Sequence, residues 1–279
     1  MPFLKIEGQK TVSLYFEDYG QGKPIILIHG WPLSHRMWEY QVPALVNAGY
    51  RVISYDRRGF GDSDKPWDGY DYDTMSADLQ ALIGALELQG VTLVGFSMGG
   101  GEVARYIGQF GSGRLSKAVF VSAVTPFMLK TDDNPTGVDQ SVFDAFKQNV
   151  KTDRIGFLEG FNKMFVNHDK GVGPDGTPVS EAALGYTLNI ASYASPKATL
   201  DCITAFGETD FRQDMTKIDV PTMFVHGDAD QIVPLEVSAE EAHKLVEGSR
   251  LQVFEGAPHG LMFTHADKLN ELLLEFLRS

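Results

Sequence analysis

Apolar positions change period repeatedly along this chain, and each change predicts an element. Val12 to Glu17 alternates apolar and polar, as an edge strand does. Ile25 to Ile28 is a continuous apolar run, expected of a strand buried on both faces. Trp38 to Ala48 has helical spacing, although Pro43 delays the regular helix to its own neighbourhood and Gly49 ends it. Arg51 to Tyr55 reads as the next strand. Met75, Leu79, Leu82, Ile83 and Leu86 recur at helical spacing. Val91 to Val94 is a short apolar strand, Glu102 to Phe110 a helix, and Lys117 to Ser122 another strand. Strands alternating with helices need parallel crossovers, so Ile25 to Ser122 predicts a mostly parallel, doubly wound α/β sheet.

The rhythm breaks after Val124. Val142 to Phe146, Ile155 to Phe165, Val179 to Ala194 and Leu200 to Phe206 look helical, with no strong strand between them. Phe127, Phe143, Phe146, Phe157, Phe161 and Phe165 concentrate in this block. Most of these rings are expected to form its core and a few to face a pocket. Strand and helix spacing resumes with Val220 to His226, Pro234 to Glu247 and Leu251 to Phe254. The chain closes on a helix with Leu269, Leu272, Leu273, Phe276 and Leu277 on one face. The expected organisation is a core from 1–124 and 213–279, split by a helical cap at 125–212.

Bulk properties narrow the setting. A chain of 279 residues can bury a sizeable core. Its formal net charge of −13 argues against nucleic acid or anionic membrane surfaces as partners. Cys202 is the one cysteine, so no internal disulfide or thiolate cluster can form, and its apolar surroundings suggest a small buried hydrophobe. Met1-Pro2-Phe3-Leu4-Lys5 lacks the basic start and apolar core of a signal peptide, which leads us to expect a cytoplasmic protein.

The chemistry concentrates after the Val91 strand, in Gly95-Phe96-Ser97-Met98-Gly99. This is G-x-S-x-G between a strand and a helix, the context in which a serine is held on a tight turn as a nucleophile. Glycines at 95 and 99 let the turn pass close to its neighbours. A hydroxyl needs a base, and His259 lies after the last strand, among Gly256, Pro258 and Gly260. An acid should follow the preceding strand, where both Asp228 and Asp230 stand. The order nucleophile, acid, histidine is that of an α/β-hydrolase. Two backbone donors are needed for an oxyanion. Met98, next after Ser97, supplies one, and Trp31, in the loop after the Ile25 strand, is the candidate for the other. His35, His168, His226, His243 and His265 show no metal-ligand spacing. His29 is expected to brace the oxyanion loop, and Asp56-Arg57-Arg58 to form a salt-bridged loop. A serine at 97, rather than a carboxylate, sets aside dehalogenase and epoxide hydrolase chemistry. No phosphate loop is present.

Longer motifs carry a resemblance. They are His29-Gly30-Trp31-Pro32, Tyr55 to Ser63, Gly95 to Arg105, Asp201 to Phe206, Thr209 to Arg212, His226 to Asp230 and Ala257 to Leu261. Together they resemble the cofactor-free bacterial haloperoxidase, perhydrolase and aryl esterase group, across nearly the whole chain. The resemblance implies an α/β-hydrolase fold with a helical cap, the triad Ser97, Asp230 and His259, and no metal or haem. It implies hydrolysis of small esters through an acyl-enzyme, and acyl transfer to hydrogen peroxide. Trp31 followed by Pro32 resembles the perhydrolase-type members. It further implies a homo-oligomer, trimer or hexamer. A pocket of Trp31, Pro32, Phe96, Phe127, Phe143, Phe161 and Ile232 is expected, partly from the resemblance. Alternative readings are a lactonase or γ-lactamase with the same triad, and a ligand receptor that retains it.

Overall fold

The computed structural model describes residues 3–7, 11–171 and 178–279. Its strands are β1 (Phe3–Ile6), β2 (Val12–Tyr19), β3 (Pro24–Ile28), β4 (Arg51–Tyr55), β5 (Val91–Phe96), β6 (Leu115–Val121), β7 (Thr222–Gly227) and β8 (Arg250–Phe254). They form one 8-stranded sheet in the order β1-β2-β4-β3-β5-β6-β7-β8. The two pairings at the β1 end are antiparallel and the remaining ones are parallel. Side chains of β3, β5 and β7 are almost wholly buried, as expected where helices cover both faces of a parallel sheet.

One expectation about the sheet edge is corrected. The Val12 strand is not an edge, because β1 pairs outside it. β1 is short and half exposed, so its apolar alternation is too brief to stand out from a loop.

The helices are α1 (Gln41–Asn47), α2 (Tyr72–Ala85), α3 (Met98–Phe110), α4 (Gln140–Phe165), α5 (Glu181–Ser192), α6 (Pro196–Glu208), α7 (Arg212–Met215), α8 (Ala239–Leu245), α9 (Leu261–Thr264) and α10 (Ala266–Arg278). Pro43 sits in the first turn of α1, where a missing N–H costs nothing. A separate 3-10 turn, His35–Trp38, precedes it, so the expected single helix from Trp38 is broken. The stretch from Pro234 is likewise a 3-10 turn, Leu235–Val237, followed by α8, with Ser238 in non-helical geometry between them.

The block between β6 and β7 holds α4 to α7. Its first two expected helices run together as α4, which kinks at Asp153 (φ −151°, ψ 87°). The Asp153 carboxylate accepts the Gly156 N–H, so it caps the second half of α4 locally. Helix α3 begins at Met98, four residues before the expected Glu102 start. Gly99 to Gly101 is a poor helix former by propensity. Packing overrides this, since a Cβ at Gly99, Gly100 or Gly101 would collide with the Ile28 carbonyl, Ala123 or Phe211 respectively.

The order of the sheet decides where the chemistry can gather. β3, β5, β7 and β8 run parallel, so the loops at residues 29–33, 97, 228–234 and 255–260 all leave its carboxyl edge. The expected cysteine environment holds: Cys202 is fully buried on α6, and burial pushes its thiol up to about 12. Among the described residues no helix is long and apolar enough to cross a membrane.

Leu27 in β3 is fully buried between flanking strands. Leu27→Ala is expected to lower the unfolding free energy by about 2–5 kcal/mol, measured by urea denaturation with the m-value unchanged.

Candidate active site

Ser97 follows β5 with φ 51° and ψ −118°, a backbone geometry that a serine rarely adopts. Two glycines make it sterically possible. A Cβ on Gly95 would lie 2.5 Å from the Gly99 carbonyl oxygen, and one on Gly99 would lie 2.4 Å from the Ile28 carbonyl oxygen. The turn therefore passes directly against the end of β3 and lifts Ser97 from the sheet edge. Two hydrogen bonds pin it, from the Ser97 N–H to the Val121 carbonyl at 2.9 Å and from the Val124 N–H to the Ser97 carbonyl at 3.3 Å.

His259 meets this serine from the β8 loop. Its Nε2 stands 3.0 Å from Ser97 Oγ, and its Nδ1 stands 2.7 Å from Asp230 Oδ2. A carboxylate can only accept, so Nδ1 carries the proton and the Nε2 lone pair faces the hydroxyl. Burial alone would raise the Asp230 carboxyl, but the His259 charge and hydrogen bonds from His226 and His259 hold it well below the usual aspartate range. Its other oxygen, Oδ1, accepts the N–H groups of Ile232 and Val233, each at 2.9 Å. Asp228 instead accepts the Gly256 N–H at 2.6 Å and pins the two loops together. Loop position alone offered both aspartates and the resemblance implied Asp230; the geometry puts Asp230 beside His259. Rings of Phe96 and Phe165 lie 4.9 and 5.1 Å from the His259 imidazole and shield it from water.

The Trp31 and Met98 N–H groups donate to no other backbone group among the described residues. Met98 is the first residue of α3, where N–H groups have no intrahelical partner and the helix dipole favours negative charge. A buried network braces the loop that carries Trp31. Glu102, fully buried on α3, accepts Arg57 Nε at 2.7 Å and the Tyr55 hydroxyl. Arg57 Nη2 donates to the His29 carbonyl at 2.9 Å, and the Arg57 N–H donates to His29 Nε2 at 3.0 Å. His29 Nδ1 therefore carries the proton and donates to the Gly30 carbonyl at 2.9 Å. Burial and the Arg57 charge hold His29 well below its ordinary value, so it is a neutral brace. The sequence suggested the His29 role; Glu102 falls inside the Gly95 to Arg105 motif, but local spacing does not pair it with Arg57.

Residues 23–266 match the family model for the alpha/beta hydrolase fold. The chain belongs to the α/β-hydrolase family. Within it the chain groups with the non-heme haloperoxidases and esterase/perhydrolases. It is 51% identical over 280 residues to a putative non-heme chloroperoxidase of Synechocystis sp., covering 100% of both chains. It is 38% identical over 276 residues to a bifunctional esterase/perhydrolase of Acinetobacter calcoaceticus, covering 96% of this chain and 97% of the other. The crystal structure of a bromoperoxidase from Bacillus anthracis superposes with a TM-score of 0.93 at 51% identity, covering 99% of this chain and 100% of that one.

In this α/β-hydrolase a cavity of about 40 Å³ opens onto Ser97. Trp31, Phe143, Phe161 and Ile232 line it, as expected, together with Phe146, Phe206 and Met128. The remaining expected wall residues stand elsewhere. Phe96 lies under the oxyanion loop, where its ring would meet any Cβ on Gly30. Phe127 packs beneath the Arg212 guanidinium. Pro32 is buried in the Gly30–Leu33 turn, away from the wall. Alternation of chain direction in these loops is not readable from spacing, which is why sequence misplaced them. Trp31 also ties the site to the inserted helices, since its Nε1–H donates to the Thr199 carbonyl at 3.0 Å.

A larger groove of about 560 Å³, lined by residues such as Tyr40, Asn162, Leu184 and Phe263, borders no residue of the Ser97–His259–Asp230 set. The smaller cavity is the candidate site because Ser97 lines it. The fold brings ligand atoms of His35, Asp56 and Asp62 within 4.8 Å of one another, which sequence spacing did not show. These oxygens are engaged within the protein: Asp56 Oδ1 takes the His35 N–H and Nδ1, its Oδ2 takes the Asp62 N–H, and Asp62 Oδ2 takes Arg36.

Removing Glu102 leaves the buried Arg57 charge without its counter-ion. Glu102→Ala is expected to cost about 3–5 kcal/mol of stability, measured by urea unfolding. Arg58→Ala, on a partly exposed pair with Asp78, should cost clearly less.

Proposed function

We propose that this protein is a serine hydrolase that transfers small acyl groups from esters to water or to hydrogen peroxide. The observation that carries the reading is the continuous chain Ser97 Oγ–His259 Nε2 at 3.0 Å and His259 Nδ1–Asp230 Oδ2 at 2.7 Å, with Ser97 on the wall of a mostly apolar cavity. In this reading His259 takes the hydroxyl proton as Ser97 attacks the acyl carbon. The Trp31 and Met98 N–H groups receive the developing oxyanion. Asp230 holds the imidazole tautomer and stabilises the imidazolium. His259 then protonates the leaving alcohol. Water or peroxide, deprotonated by the same ring, releases an acid or a peracid.

Cavity size supports the substrate class. About 40 Å³ is room for roughly three water molecules, which suits an acetyl-sized acyl group better than a long chain. The esterase/perhydrolase named among the relatives supports the same two acceptors. Because Pro32 is off the wall, its influence on peroxide would act through the backbone of the Gly30–Leu33 turn. A cytoplasmic homo-oligomer, trimer or hexamer, belongs to the same reading and is tested by light scattering on the purified protein.

Paired assays test the reading. Wild type should hydrolyse p-nitrophenyl acetate and form peracetic acid from acetate and peroxide with a chelator present. Ser97→Ala should lose both by at least about 1,000-fold; retention of both would show that Ser97 is not the nucleophile. Pro32→Leu should lower the ratio of perhydrolysis to hydrolysis, and an equal ratio would remove Pro32 from the account. Phe161→Ala should raise the butyrate-to-acetate ratio of kcat/KM about tenfold or more; an unchanged ratio would mean that this wall does not set acyl length.

A further inference from the structure

Asp230 is met by two imidazoles. His226, the penultimate residue of β7, is fully buried. Its Nε2 lies 2.8 Å from the Val233 carbonyl oxygen and 3.2 Å from Asp230 Oδ2. A carbonyl can only accept, so His226 Nε2 carries a proton and donates it to the Val233 carbonyl, which leaves the same N–H edge 3.2 Å from Asp230 Oδ2. The other ring nitrogen, Nδ1, has no hydrogen-bond partner and no access to solvent. A cationic ring would bury a second N–H with nothing to receive it, so the arrangement selects neutral His226 as a donor. His259 Nδ1 donates to the same Oδ2.

We infer that His226 is a positioning residue for the Ser97–His259–Asp230 set: by holding its polar Nε2–H edge 3.2 Å from Oδ2 it fixes the carboxylate and limits how strongly that oxygen stabilises protonated His259. The inference rests on the serine acyl-transfer reading above. Oδ1 is already occupied by the Ile232 and Val233 N–H groups, so the balance of charge on Asp230 is set at Oδ2. The titratable groups that face Asp230 are His259 and His226. Other titratable groups on the surrounding elements point elsewhere. Asp228 bonds the Gly256 N–H, His243 on α8 bonds Ser249, and His265 bonds Thr264. Lys268 on α10 lies over the Phe254 ring.

The direction of the effect follows. Removing the His226 donor concentrates negative charge on the oxygen that His259 faces. Imidazolium is then favoured, and His259 stays protonated to higher pH, where it cannot take the serine proton. A residue with only a packing role would change stability and leave this balance alone.

The experiment is the pH profile of kcat/KM for p-nitrophenyl acetate. Wild type, His226→Phe, His226→Gln and Ser97→Ala are compared, each checked for a cooperative unfolding transition. His226→Phe fills the space without a donor and should move the acid limb up by about half to one pH unit. His226→Gln offers an amide N–H at similar reach and should hold the limb near wild type. If His226→Phe does not fold, His226→Ala removes the donor without adding bulk and makes the same comparison. An acid limb unmoved in a folded donor-free variant, with Ser97→Ala inactive, would overturn the role of His226 and leave the serine reading standing. An active Ser97→Ala would overturn the serine reading itself.

Discussion

The contact between Gly99 and the end of β3 is the constraint on which the site depends. A Cβ on Gly99 would lie 2.4 Å from the Ile28 carbonyl oxygen, so this turn exists only with glycine. That approach sets Ser97 at positive φ, starts α3 at Met98 and leaves the Met98 N–H unpaired beside the Trp31 loop. Backbone strain at 97 is held by bonds to β6 and to Val124 rather than by the serine itself. The hydroxyl, one oxyanion donor and the close fit of strand and helix are thus consequences of one steric condition.

Two buried polar networks then hold the loops around that turn. On one side Glu102, Arg57 and His29 brace the loop of Trp31, with an ion pair whose Arg and Glu are 1% and 0% exposed. On the other side Asp230 collects two backbone N–H groups and two imidazoles. Both networks place charge in a low-dielectric interior, where an unmatched group is costly and a matched one is held in a narrow geometry. Such networks give orientation more than net stability. The inserted helices close the system from above. The Trp31 ring bonds Thr199 on α6, the Gly260 N–H bonds the Phe165 carbonyl of α4, and Asn167 bonds the Ala229 carbonyl beside Asp230. Loop, acid, base and cavity wall are therefore mechanically joined.

The legibility of the chain varied with the range of the forces involved. Strands β3, β5 and β7 were readable because burial on both faces leaves nearly unbroken apolar runs, and β4, β6 and β8 from their place in the alternation of strands and helices. Strand β1 was not, because four half-exposed residues gain their place only by pairing with β2. The joining of the two expected helices into one α4 kinked at Asp153 was also hidden, as was the break at Ser238, across which helical spacing continues. Among the site residues, Ser97 and His259 stood in motifs with a local physical meaning. Glu102 and His226 did not, because their roles come from partners far away in the chain or from a lone pair shared with another ring.

By itself the sequence determined the fold class, the strand–turn–helix around Ser97 and the order in which serine, acid and histidine arrive. These are properties of hydrophobic period, glycine and loop position, all of which act locally. Only the tertiary structure gave Asp228 its bond to the Gly256 N–H, put Phe96, Phe127 and Pro32 off the cavity wall, and turned His226 toward the carboxylate. Each of those outcomes depends on which side of a loop faces the sheet edge. That is settled by packing between segments distant in the chain, where spacing along the sequence carries no information.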